Sequence, residues 1–85
     1  MHIVFHTSFK KKFKKLSLKI QEHFYKRLVL FQKNKFDAML NNHSVEKRFP
    51  HCRSINITGD YRAIFKEGKK DVCTFINIGT HSELY

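Results

Sequence analysis

His43, Asn56, Asp60, Arg62, Lys66, His81 and Tyr85 are the side chains of this sequence with chemistry beyond packing. A histidine and a carboxylate can pass protons near neutral pH. An arginine or lysine can hold the charge that builds on a phosphate in flight. A tyrosine ring can stack on a base. Asp60 opens one apparent strand and His81 follows another. If those strands are antiparallel neighbours, the two ends meet and form an acid/base pair. Each residue also has a plainer reading. Asp60 after Gly59 is a favoured turn residue. His81 can close a strand end, Arg62 can sit in solvent, and Tyr85 can cover the core. His2, His6 and His23 read as surface or edge residues. The six histidines fall at no ligand spacing on an expected helix, so no metal site is implied. Three glycines form neither a phosphate-cradling loop nor a nucleophile elbow, which excludes the usual nucleotide and hydrolase sites and points to no cofactor.

The elements that must position these residues follow from apolar spacing. His2–His6 alternates around Ile3 and Phe5 and predicts a first strand. Thr7 or Ser8 then caps a helix. Phe9, Phe13, Leu16 and Ile20 share one helical face, with Lys10, Lys11, Lys12, Lys14 and Lys15 around the rest. The stripe continues through Phe24, Leu28 and Phe31. One unbroken helix of that length is unusual in a small domain, and Ser17 can cap a second one, so two helices are expected over 8–16 and 18–33. Residues 34–52 are polar and turn-rich with the only proline, Pro50. They read as a long connection with one helical turn near Ala38–Leu40, and such connections are often functional. Residues 53–58, 61–66 and 71–78 alternate as three strands, with turn signals at 58–60 and 67–70. Val72, Thr74, Ile76 and Ile78 are expected to face one way. The predicted class is α+β in the order β-α-α-β-β-β, with a helical hairpin on one face of an antiparallel sheet. The other face is expected to be partly open and to carry Asn56 and Arg62.

The chain has 85 residues and reads as a single domain, 1–85, with modest stability. Its 17 Lys and Arg outnumber 7 Asp and Glu, a net charge of +10. Residues 1–35 hold ten of these cations and one acid, Glu22. Such one-sided charge suits a phosphate backbone or an acidic protein partner, although lysines also form ordinary solvated faces. Cys52 and Cys73 match no metal or redox spacing, and the start lacks the order of a secretory leader. A cytoplasmic protein with reduced, half-buried thiols is therefore expected. No apolar run is long enough for a membrane span.

The stretch "RSINITGDYRAIF", followed by "FINIGTHSELY", resembles the RelE/ParE superfamily of toxin–antitoxin toxins. The closing "GTHSELY" is most similar to the YafQ-like branch of mRNA interferases. The resemblance spans nearly the whole chain, and its specific part is the C-terminal third. It implies a small microbial-RNase-like fold and ribosome-dependent cleavage of mRNA in the A site without a metal. The 2′-OH attacks the adjacent phosphate and leaves a 2′,3′-cyclic phosphate and a free 5′-OH. It further implies His81 as general acid, Tyr85 as the aromatic beside the substrate, Asp60 as base or orienter, and His43 as a catalytic histidine. Arg62, Arg53, Asn56 and Lys66 become RNA or phosphate contacts. The branch places a histidine where this chain has Asn56, and an amide is no base near neutral pH. The glycine-rich lead into the first hairpin strand is replaced by "EKRFPHC", and no helix is expected after the last strand. The implied partners are a cognate antitoxin, the ribosome and mRNA. A ParE-like gyrase inhibitor on the same fold is the alternative. It needs no His/Asp set.

Overall fold

The computed structural model describes residues 1–85. Strand β1 (His2–Phe5) leads into helices α1 (Thr7–Phe13) and α2 (Leu18–Lys33). Then come a short strand β2 (His43–Ser44), strands β3 (Cys52–Asn56), β4 (Tyr61–Glu67) and β5 (Val72–Thr80), and a final turn of helix α3 (His81–Leu84). The five strands form one sheet in the order β1-β5-β4-β3-β2. The three-stranded hairpin part is antiparallel, as the alternation predicts, but β1 joins β5 in parallel. The connection that this parallel pair requires runs through the helical hairpin and then β2, β3 and β4 before the chain returns as β5.

The helical hairpin breaks at Ser17, whose hydroxyl accepts the Ile20 N–H at 3.3 Å. Gln21 ties the two helices by donating to the Phe13 and Leu16 carbonyls. The cap of α1 differs from expectation. His6 holds that position, and its ring nitrogen accepts the Ser8 N–H at 3.1 Å. Helix α1 also ends earlier than predicted, because Lys15 and Leu16 donate three residues back and tighten the chain into the turn.

One face of the sheet meets the helices through an aromatic core. Phe9, Phe24, Phe31, Phe65 and Phe75 are all buried there, with Ile55, Ile57, Ala63, Cys73 and Ile78. Phe75 lies within 5.5–6.0 Å, ring centre to ring centre, of five other phenylalanines: Phe5, Phe9, Phe24, Phe31 and Phe65. Leu40, from the short 3₁₀ turn Ala38–Leu40, plugs the same core. That turn is where the sequence predicts one.

Three expectations need correction. The 34–52 connection is not strand-free, since His43 and Ser44 pair with Ser54 and Arg53 and extend the sheet. The simple alternation of β5 fails too. Phe65 pairs with Phe75 but Ile64 with Asn77, so Ile76 is an extra residue in the ladder. Such a bulge shifts the phase of the strand. Ile76 therefore packs on the far face while Ile78 joins the aromatic core. Finally, both thiols are free but buried rather than half-buried, Cys73 in the helix-side core and Cys52 on the opposite face.

Candidate active site

The face away from the helices carries a second, small core of Val45, Cys52, Ile64 and Leu84, with Phe49 and Ile76 against it. It forms because the segment after β2 and the C-terminal residues fold over β3 and β4. No helix was expected at this end, but "THSE" is a capping box. Thr80 Oγ1 accepts the Glu83 N–H at 3.2 Å and Glu83 Oε1 accepts the Thr80 N–H at 2.7 Å. These two bonds turn residues 81–84 into α3. Gly79 leaves room for the returning carboxylate, since a β-carbon there would lie 3.2 Å from Glu83 Oε1. The bonds from Thr80, with the Lys12 charge nearby, hold the Glu83 carboxyl below its ordinary pKa. Lys12 itself donates to Asn77 Oδ1 at 2.7 Å, so the basic helix α1 reaches the back of this end of the sheet.

The helix turn presents the two residues that closed the sequence. His81 is exposed, makes no side-chain hydrogen bond, and lies 4.8 Å from the Tyr85 ring, centre to centre. Tyr85 in turn stands edge-on to Phe49 at 6.3 Å. Tyr61 pairs with Thr80 across β4 and β5, and the His81 N–H donates to the Asp60 carbonyl at 2.9 Å. Asp60 and His81 are thus neighbours at one sheet end through the backbone, while their side chains make no bond to each other.

Asn56, Arg62 and Gly79 form the next row across the sheet, and His43, Ser54 and Ile64 lie two rows further, past Ile55, Ala63 and Ile78. The His43 ring nitrogen Nδ1 lies 2.7 Å from the Asn41 carbonyl. A carbonyl only accepts, so Nδ1 carries a proton, and the neutral form of the ring has its lone pair on Nε2. Ser54 Oγ and Asn56 Oδ1 are buried on this face without a hydrogen-bond partner. Arg62 is bound to the hairpin turn, donating to the carbonyls of Thr58, Tyr61 and Gly59 at 3.0–3.2 Å. It braces the turn that carries Asp60 and leaves its charge there.

Two of the expected phosphate contacts are not brought to this place. Arg53 alternates onto the helix side of β3, donates to Asn42 Oδ1 at 2.7 Å, and lies over the Phe36 ring. Lys66 is exposed towards the other end of β4, in the row of Cys52 and Thr74. Sequence reasoning missed Arg48, whose Nε donates to the Leu84 carbonyl at 3.1 Å and ties the 45–51 segment to α3. No spacing signals that contact. No three His, Cys, Asp or Glu side chains converge as metal ligands would.

The arrangement of a helical hairpin on a five-stranded sheet has counterparts among solved structures. Escherichia coli BL21(DE3) YafQ superposes with a TM-score of 0.80 at 20% identity, over 98% of this chain and 96% of that one. This is the RelE-like toxin fold. The YoeB/ParE toxin of Agrobacterium tumefaciens is similar at a TM-score of 0.76 and 14% identity, over 95% and 99% of the two chains. YafQ in the E. coli DinJ–YafQ complex is similar at 0.68 and 18%, over 98% and 96%. No protein-family model matches the sequence, and no curated protein matches it in sequence. Within the RelE-like fold, α3 places His81 and Tyr85 at the sheet end, beside the hairpin turn of Asp60. No helix of the structure is long and apolar enough to cross a membrane.

Proposed function

We propose that the protein is the toxin of a toxin–antitoxin pair and cleaves mRNA in the ribosomal A site. The observation that carries this reading is the His81–Asp60 backbone bond, which sets an exposed histidine and Tyr85 at one end of a RelE-like sheet. The sequence supports it further by placing ten of its 17 cations against a single acid in the helical half, residues 1–35. A nuclease that uses no bound cofactor needs a base, an acid and a cation around one phosphate. Neutral His43 accepts the 2′ proton on Nε2. The 2′ oxygen forms its bond to phosphorus as the bond to the 5′ oxygen breaks. Protonated His81 donates to that oxygen, leaving a 2′,3′-cyclic phosphate and a 5′-OH. Asp60, joined to His81 through the backbone, orients the histidine, and the Arg62 charge at the same turn offsets the phosphorane. Asn56 contributes a polar amide but no basicity.

The lysines of α1 and α2 serve ribosomal RNA phosphates in the active state and an acidic antitoxin segment in the silent state. The partnership of DinJ with YafQ is a model for that silencing. This function places the protein in the cytoplasm with the ribosome.

The test is primer extension on translating mRNA. Wild type gives A-site cuts, and His81→Ala reduces them by about 100-fold, the scale of a lost general acid. Equal cutting by both proteins removes His81 from the chemistry. Inhibition of gyrase supercoiling that persists in His81→Ala, with no RNA cleavage, establishes the inhibitor function instead.

A further inference from the structure

An open cleft of about 400 Å³ lies beside the candidate active site, lined by Ser44, Val45, Glu46, Lys47, Arg48 and Tyr85. Three of its walls are chemically specific. Tyr85 offers a ring that is 40% exposed, supported edge-on by Phe49. Arg48 uses only Nε within the chain, on the Leu84 carbonyl. That bond fixes the guanidinium and leaves both terminal nitrogens as an unused pair of donors. Glu46 accepts the His51 N–H at 2.6 Å through Oε2, while Oε1 has only the His51 ring nitrogen at 3.9 Å. The cleft therefore combines a stacking surface, a two-pronged donor and a carboxylate acceptor.

A ligand must match all three. Guanine does: O6 and N7 are adjacent acceptors for an arginine fork, while its N1–H and N2 amino group are donors that suit a carboxylate. Adenine puts its N6 amino donor against the fork and has no N1–H. Uracil and cytosine cover less of the ring. We propose that this cleft is a guanine subsite, in which Arg48 and Glu46 read the base next to the scissile bond while Tyr85 stacks on it. The proposal rests on the RNA-cleaving reading for its biological use, but the cleft can be tested without cleavage.

Nucleotide binding is measured by NMR titration of the intact protein with GMP, AMP, CMP and UMP, following Tyr85 and the Arg48 Nε–H. GMP should bind about tenfold more tightly than AMP, the scale of one bidentate base contact. Arg48→Lys keeps the charge but removes the fork, and Glu46→Gln keeps an acceptor for His51 but removes the carboxylate. Each should bring GMP down to the level of AMP, with the thermal midpoint of each variant checking the fold. Equal affinity for all four nucleotides, no binding, or shifts confined to other surfaces overturns the subsite. Sequencing of cut ends separates the two proposals. Cuts beside guanine that lose this bias in Arg48→Lys support both. Cutting with no base bias in wild type overturns the subsite alone. GMP selectivity at the cleft without any RNA cleavage supports the subsite and removes the nuclease.

Discussion

The two faces of the sheet are built on different scales. The helix side buries eleven apolar residues around a cluster of phenylalanines, whereas the opposite side buries an apolar cluster of four. Burial of apolar area is the main stabilising term in folding. The helix face therefore holds the molecule together, and the small face holds α3 and the 45–51 segment in place. Every residue proposed to act at the scissile bond or to read the base beside it, Arg48 and Tyr85 included, stands on or beside the small face. Elements attached by few buried contacts open locally at less than the global free energy. The candidate site is thus mounted on the smaller of the two cores, and its elements are expected to open more readily than the aromatic core.

The strongest challenge to this contrast is truncation in each core. Phe75→Ala should lower unfolding free energy by about 4 kcal/mol in urea melts, because it empties the centre of the aromatic cluster. Leu84→Ala should lower it by about 2 kcal/mol, since a terminal turn can partly collapse. A Leu84 loss equal to that of Phe75 would break the contrast. The thiols sharpen it, since each core contains one. Burial pushes both Cys52 and Cys73 above their ordinary pKa, so labelling needs an opening event. Under native conditions Cys52 should react about tenfold faster than Cys73, a difference of about 1.4 kcal/mol in opening. Equal rates, measured by mass spectrometry, would mean that the two faces open together.

The smallest effects concern the cap of α3. Thr80→Ala should cost about 1 kcal/mol, seen as lost amide protection in residues 81–85. Glu83 makes the same cap pH-dependent. Its folded pKa is depressed by the Thr80 bonds. Its contribution is therefore complete above the unfolded carboxyl's pKa and disappears as pH falls through the lower folded value. Hydrogen exchange should show α3 loosening in acid before the aromatic core does, and Glu83→Gln should reduce that pH dependence.

Much of the helix side was legible in the sequence because each helix face is written within a few turns. The break at Ser17 and the extent of α2 follow from a local cap and a local stripe. The far face was harder to read. Ile76 and Ile78 look like partners in a two-residue alternation, but the bulge sends them to opposite sides. The capping box at Thr80–Glu83 was present as a motif and was overshadowed by the strand before it. His6 has the sequence context of an edge residue, yet it caps α1.

By itself, the sequence determined the helical hairpin, the three antiparallel strands, the concentration of charge in residues 1–35, and the side chains available for proton transfer. These depend on residue type and short-range spacing. Tertiary structure decided which of those side chains share a place. It gave Arg53 to the helix face, left Lys66 towards the opposite end of β4, and bound the Arg62 fork to the turn. It also joined Asp60 to His81 and brought Arg48 to Leu84, pairs separated by long stretches of chain. Strand register and the packing of α3 set those meetings, and neither is encoded by the residues on one side of the contact alone.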